Sequence, residues 1–194
     1  MLSRAVQVTY VVLFGAASLI AFSGDKDAAT HAARVERGRY IVEAFGCADC
    51  HTPKTFGPDG PQEDPKRHLS GHPHDVQLPP APTLPDGPWN FSGNDMMTAW
   101  SGPWGTSFTA NLTPDVETGL GSWKEEDFVA TIRNGRHMGR GRPLLPPMPW
   151  PAYLHHPDED LDAIFAYLQS LPPIKNRVPE PLPPEPSPAA PSGS

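Results

Sequence analysis

The residues best suited to chemistry are Cys47, Cys50 and His51, in the run Cys47-Ala48-Asp49-Cys50-His51. On a helical turn, two thiols three positions apart lie on one side and can reach the two vinyl groups on one edge of a porphyrin. The imidazole that follows is then held under the iron. A C-x-x-C-H run is typical of covalent haem attachment, so we predict one haem c bound through Cys47 and Cys50. His51 is the predicted proximal iron ligand.

Three other interpretations of this run fit less well. A structural zinc site needs four ligands, but the chain has only 2 cysteines and both lie in this run. A thioredoxin-like redox pair needs a βαβ context, which the surrounding sequence does not resemble. A disulfide between residues three apart would be strained and would leave His51 without a role.

The sixth ligand of the iron is predicted to be Met148. It lies in Leu144-Leu145-Pro146-Pro147-Met148-Pro149-Trp150, where the flanking prolines would present a thioether rigidly from an extended strap. Methionine is usually core filler, and a methionine between prolines is poorly placed for that. Met138, a histidine or an open position are the alternatives, while Met96 and Met97 lie in a long loop.

Three helices are predicted to position these ligands. The first runs from Ala32 to Gly46, with apolar residues every three to four positions and Gly38 within the apolar stripe. The second begins at a capping box of Ser122 and Glu125. The third begins near Pro157 and ends at Pro172-Pro173. Its core-facing stripe has the spacing i, i+3, i+4, i+7: Leu161, Ile164, Phe165 and Leu168.

The stretch between the haem motif and the second helix, residues 52–121, has little periodicity and much Pro, Gly and Asp. Long structureless loops are uncommon in compact domains unless they are functional. Its aromatic residues suggest that it wraps the cofactor. Three histidines in this stretch, His68, His72 and His74, are interpreted as surface or haem-edge residues rather than as a metal site.

The two ends of the chain are predicted to lie outside the folded domain, 32–171. Residues 1–23 have one charge, Arg4, before the uncharged stretch Ala5 to Phe22, which is typical of a signal peptide cleaved before Gly24. A membrane anchor is the alternative. Residues 172–194 are Pro-rich and predicted to form a disordered tail. The net charge of −7 argues against nucleic acid as the partner.

These features together resemble a class I c-type cytochrome with one haem, over roughly residues 33–171. The resemblance rests on the haem motif, the Pro-flanked Met148 and the helix containing Glu159-Asp160-Leu161. The run Asn111-Leu112-Thr113-Pro114-Asp115 and the stretch continuing to Trp123 are similar to the cytochrome c modules in cytochrome subunits of bacterial membrane-bound dehydrogenases. Two departures are the single C-x-x-C-H run and a long insertion between His51 and Met148.

The resemblance implies an all-α cytochrome c fold, with few short helices around one haem and a long irregular loop. It implies axial ligation by His51 and Met148, and a crossing of the first and last helices at Gly38. The predicted function is electron transport in the periplasm, by a soluble or membrane-tethered carrier between a dehydrogenase and an oxidase or other acceptor. The carrier itself is expected to have no enzymatic activity. The alternatives are a haem enzyme or gas sensor with a labile sixth ligand, and an assembly subunit docked by its tail.

Overall fold

The computed structural model describes residues 9–85 and 87–184, with side chains from Lys26 onward. This part of the chain contains two short 3-10 helices, His137–Gly139 and Trp150–Tyr153. Its α-helices are α1 Thr9–Ala44, α2 Cys47–His51, α3 Glu125–Asn134 and α4 Asp158–Ser170. Within the described residues, no helix contains a stretch both long and apolar enough to cross a membrane. The proposed signal peptide or anchor begins in residues 1–8, which lie outside the described part, and it stays a prediction.

The loop between α2 and α3 contains two small antiparallel sheets. The first is a hairpin of β1 Lys54–Gly57 and β2 Gly60–Glu63. The second has the order β3-β4-β5 and is formed by Ser92–Gly93, Ala99–Gly102 and Gly105–Phe108. The expected all-α class is therefore corrected to a mixed one, with four α-helices and two small antiparallel sheets in the described residues, which broadly fits a cytochrome c fold. Strands of four residues or fewer are too short for alternation to reveal them.

The two long helices α1 and α4 pack closely at Gly38. A Cβ atom added to Gly38 would lie 1.8 Å from the carbonyl oxygen of Ala163, so the helices cross backbone against backbone. Arg37 also donates two hydrogen bonds to the carboxylate of Asp160, at 3.0 and 3.1 Å. The expected crossing at Gly38 is present.

The apolar core lies where α1, α3 and α4 meet. All four residues of the predicted stripe on α4 are buried, and Phe165 packs on Phe128 of α3 with ring centroids 5.5 Å apart. α3 begins at Glu125, with the Asp127 carboxylate accepting a hydrogen bond from the Lys124 backbone. The N-cap residue is therefore Lys124, two residues beyond the Ser122 expected from the sequence.

Residues 172–184 lie against the domain, although the sequence favoured a disordered tail here. Asn176 is 5% exposed, and its amide group donates to the carbonyl oxygens of Ser70 and His72 at 2.7 and 2.9 Å. Further along, Leu182 pairs with Thr106 through two backbone hydrogen bonds at the free edge of β5. These contacts are hydrogen bonds from one amide side chain and from the backbone, which leave no hydrophobic pattern in the sequence. The composition of residues 172–184 therefore did not reveal that they pack on the domain. Residues 185–194 lie outside the described part.

Candidate haem site

The two cysteines of the motif lie on α2, directly after a backbone turn. Gly46 adopts a left-handed conformation with φ 65°, which ends α1 and lets the chain start a new helix at Cys47. Glycine is the residue that adopts this conformation without a steric cost. Both thiols are free and half-buried. Burial raises the pKa of Cys47 to about 11 and that of Cys50 in the same direction, so both are protonated thiols at neutral pH.

His51, the last residue of α2, is 8% exposed and held by two backbone contacts. Its ring atom Nδ1 lies 2.8 Å from the carbonyl oxygen of Ala110, and its own carbonyl accepts from the Gly71 amide at 2.8 Å. Since a carbonyl can only accept, Nδ1 carries the proton and Nε2 is left with its lone pair. Burial lowers the pKa of His51, which favours the neutral ring that a metal needs.

Met148 is half-buried in a strap, residues 144–150, that is anchored at several points. The Ser107 hydroxyl donates to the carbonyl oxygen of Pro146 at 2.6 Å. The Leu144 amide donates to the carbonyl oxygen of Gly135 at 2.8 Å, and the ring of Trp150 covers Gly135. These contacts fix both ends of the strap and hold Met148 between them.

β5 connects the strap to His51. Ser107, in the strand, holds the strap, and Ala110, three residues later, holds the imidazole. Three residues of chain span at most about 11 Å. The segment from Ser107 to Ala110 therefore limits the distance between its contact with the strap and its contact with His51. This segment contacts both predicted ligand-bearing elements.

Two buried donors in this hairpin have no acceptor in the described part of the chain: the indole N–H groups of Trp100 and Trp104. Buried polar groups without a partner are rare in native proteins and call for an explanation. Two free thiols, a buried imidazole with Nε2 unprotonated and a thioether on a fixed strap fit a covalently held haem.

The other methionines and histidines of the sequence analysis lie in environments that differ from that of Met148. Met138 lies in the turn after α3 with φ 51°, and its carbonyl oxygen accepts from Arg140. Met97 is 38% exposed. His72 is fully buried with Nδ1 2.9 Å from Thr98 Oγ1, while His74 bonds to Asn176. No group of three or more potential metal ligands from His, Cys, Asp and Glu occurs within residues 9–85 and 87–184.

Several groups that shape the site had no sequence signal. The Ala110 carbonyl that orients His51 belongs to the backbone, so its residue type carries no information. Ser107 is an ordinary hydroxyl in a loop whose strands the sequence did not predict. The sequence predicts that the aromatic residues of the loop wrap the cofactor, but only the packing reveals that the N–H groups of Trp100 and Trp104 lack an acceptor in the described chain.

No family model matches the chain. The chain is 32% identical over 148 residues to a nicotinate dehydrogenase component of Pseudomonas putida, across 76% of this chain and 9% of the relative. It is 30% identical over 148 residues to the gluconate 2-dehydrogenase cytochrome c subunit of Pantoea cypripedii, across 76% and 25%. It is 29% identical over 145 residues to a diheme cytochrome c-type protein of Cereibacter sphaeroides, across 75% and 38%.

The haem-attachment motif and these similarities support a cytochrome c module, and the relatives that are named as cytochromes c imply haem c as the cofactor. More particularly, the chain is similar to the cytochrome c modules of bacterial dehydrogenase cytochrome subunits. The chain spans at most 38% of the length of the three relatives named.

Proposed function

We propose that this chain is a periplasmic electron-transfer module with one haem c, attached to Cys47 and Cys50 and ligated by His51 and Met148. The haem supplies a one-electron couple between ferric and ferrous iron. The chain's own residues bind the group, fill both axial positions and leave no position for a substrate. The observation that carries the proposal is His51, which is buried in a C-x-x-C-H helix with Nδ1 bonded to the Ala110 carbonyl.

The hydrogen bond from His51 to Ala110 has a chemical consequence. It fixes the ring orientation and the tautomer, and donation from Nδ1–H increases the basicity of Nε2. The contacts with Ser107 and Gly135 hold the strap, so it would present Met148 to the iron with little conformational freedom. A methionine ligand raises the reduction potential relative to a second histidine.

The proposed electron donor is a dehydrogenase, and the acceptor an oxidase or another cytochrome. Support comes from the relatives, two of which are named as parts of dehydrogenases. The chain carries a net charge of −7, so we expect weak, fast association with basic surfaces that salt screens. The module is an electron carrier, and any substrate oxidation belongs to the partner.

The alternative of a haem enzyme or gas sensor would need free donors on the distal side. His137 and Arg140 are the residues near the strap that could supply such donors, and both are engaged elsewhere. His137 packs edge-on against Trp123 at 5.0 Å between centroids. Arg140 is 73% exposed and pairs with Asp127 at 3.2 Å. Their positions favour the carrier.

Two measurements on the exported, full-length protein test this proposal. Haem content per chain, determined from the reduced pyridine complex, should equal one, and Cys47→Ala with Cys50→Ala should abolish covalent attachment. The native ferrous protein should bind carbon monoxide slowly, because both axial positions are filled. Rapid carbon monoxide binding, or peroxide turnover at enzyme-like rates, would contradict the carrier role and favour the enzyme or sensor.

A further inference from the structure

The chain that leaves the haem-attachment motif is buried until it reaches the hairpin β1–β2. Thr52 and Pro53, which follow His51, are both buried, and the Pro53 carbonyl oxygen accepts a hydrogen bond from the Asp64 amide at 2.9 Å. Lys54, the first residue of β1, comes three residues after His51. Since three residues span at most about 11 Å, the backbone of Lys54 is held close to the predicted proximal ligand.

Lys54 brings a positive charge to this position. Its side chain is 14% exposed, whereas the three other residues of β1 are exposed. Its ammonium donates to the carboxylate of Glu63 at 3.3 Å, and Glu63 is the residue directly opposite it in β2. The Glu63 side chain is 41% exposed, so the positive end of this ion pair is the more buried one. Water and salt screen a buried charge less than an exposed one.

The Lys54 ammonium also acts on the haem-attachment motif itself. Burial raises the pKa of the Cys50 thiol, Asp49 raises it further, and the charge of Lys54 lowers it. A positive charge has this effect only when it lies near enough to favour the thiolate. Together with the short stretch of chain from His51, this puts the positive end of the ion pair on the side of the predicted haem.

We propose that the Lys54–Glu63 ion pair helps to set the reduction potential, with the ammonium stabilising the ferrous haem and the carboxylate holding the ammonium while partly offsetting its charge. This inference rests on the proposed function. Ferric iron carries one more positive charge than ferrous iron, so a fixed ammonium nearby disfavours the ferric state. Lys54 therefore raises the potential and Glu63 lowers it. The electron goes from the donor to the iron, and neither side chain gains or loses a proton.

The test measures the reduction potential of the full-length, haem-loaded protein. Lys54→Gln should lower the ratio of reduced to oxidised protein at a fixed potential about threefold, as expected for a unit charge ~10 Å away in partly screened surroundings. Because a tenfold change corresponds to about 59 mV for one electron, this is about 28 mV. Glu63→Gln should raise the ratio, and Lys54→Arg, which keeps the charge, should leave it close to that of the wild type.

A second ion pair provides the matched control. Lys175 and Glu117 lie 2.7 Å apart, with side chains 70% and 62% exposed. Lys175→Gln and Glu117→Gln change the net charge of the protein in the same way as the two test variants. They should leave the ratio of reduced to oxidised protein unchanged, because water and salt screen exposed charges.

The signs of the shifts decide the outcome. Opposite shifts in Lys54→Gln and Glu63→Gln support the inference, whereas shifts of the same sign, or none, with haem attached would overturn it. Loss of the methionine ligand would also lower the potential, so the far-red sulfur-to-iron absorption band is recorded for each variant. If Lys54→Gln loses this band or does not fold, Glu63→Gln decides alone, because ligand loss does not raise the potential. Absence of covalent haem from the wild-type protein would overturn the proposed function itself, and this inference with it.

Discussion

Gly38 and Ala163 are in backbone contact, so that a Cβ atom on Gly38 would lie 1.8 Å from the Ala163 carbonyl oxygen. The nearest side-chain atom, Cβ of Tyr167, would be at 2.9 Å. The first of these atoms belongs to the backbone of α4 and cannot move aside independently of the helix. α1 and α4 can therefore approach this closely only with glycine at position 38.

Gly38→Ala is expected to force the two helices apart. Although alanine has the better helix propensity by about 1 kcal/mol, overpacking against backbone typically costs about 1–3 kcal/mol or more. We expect a net loss of unfolding free energy, measured by chemical denaturation. Gly57→Ala is the control, because a Cβ atom there would have no neighbour within 4 Å among the residues that the structure describes. Equal stability of the two variants would mean that the crossing is not this close.

Asn176 is expected to be the main anchor of the chain beyond α4. Asn176→Ala would leave the buried carbonyl oxygens of Ser70 and His72 without their donor. Each unsatisfied buried group costs about 1–3 kcal/mol, so the free energy of unfolding should fall by at least about 2 kcal/mol. Lys175→Ala, the control, removes only an exposed ion pair with Glu117. It should change the free energy of unfolding by less than about 1 kcal/mol. If Asn176→Ala and Lys175→Ala have indistinguishable denaturation midpoints, Asn176 is not the main anchor of this segment.

Ser107→Ala should loosen the strap that carries Met148. The variant loses the hydrogen bond to the Pro146 carbonyl, worth about 1 kcal/mol. Competition by imidazole for the sixth position should strengthen about fivefold, followed by absorption spectroscopy of the ferric protein. Ser170→Ala, which removes an exposed hydroxyl contact at the end of α4, serves as the control. An unchanged imidazole affinity would show that Ser107 does not hold the ligand strap.

His72 is expected to make stability pH-dependent. Burial lowers its pKa, opposed by smaller contributions from the Val76 carbonyl and Asp75. Between the lowered pKa and the ordinary value of about 6.5, the unfolded chain binds more protons than the folded one. The free energy of unfolding therefore falls as pH decreases through this window.

The His72→Gln variant keeps hydrogen-bonding capacity but cannot titrate, so its free energy of unfolding should fall less steeply as the pH decreases below about 6.5. Part of the dependence of the free energy of unfolding on pH should remain in this variant, because burial also lowers the pKa of His137. His137→Gln, the matched variant, should remove that remaining part and leave the contribution of His72 in place. If His72→Gln keeps the full slope, the pH dependence arises elsewhere.

The sequence predicted the parts of this molecule that rely on side-chain type and spacing. The apolar stripe of α4 and the packing role of Gly38 were correctly anticipated, because helix periodicity and an interior glycine leave clear patterns. The three-stranded sheet and the packed segment around Asn176 were not. They depend on strands of four residues or fewer and on backbone carbonyls, whose positions follow from the fold rather than from residue identity. The Ala110 carbonyl beside His51 shows the same limit within the site.

The central claim is that Met148 completes a haem site with Cys47, Cys50 and His51. The most direct measurement is the weak far-red sulfur-to-iron charge-transfer band of the ferric protein, recorded for Met148→Ala and for Met138→Ala. Haem should stay covalently attached in both variants. We expect the band to vanish in Met148→Ala and to persist in Met138→Ala, and the opposite pattern would contradict the proposed ligation.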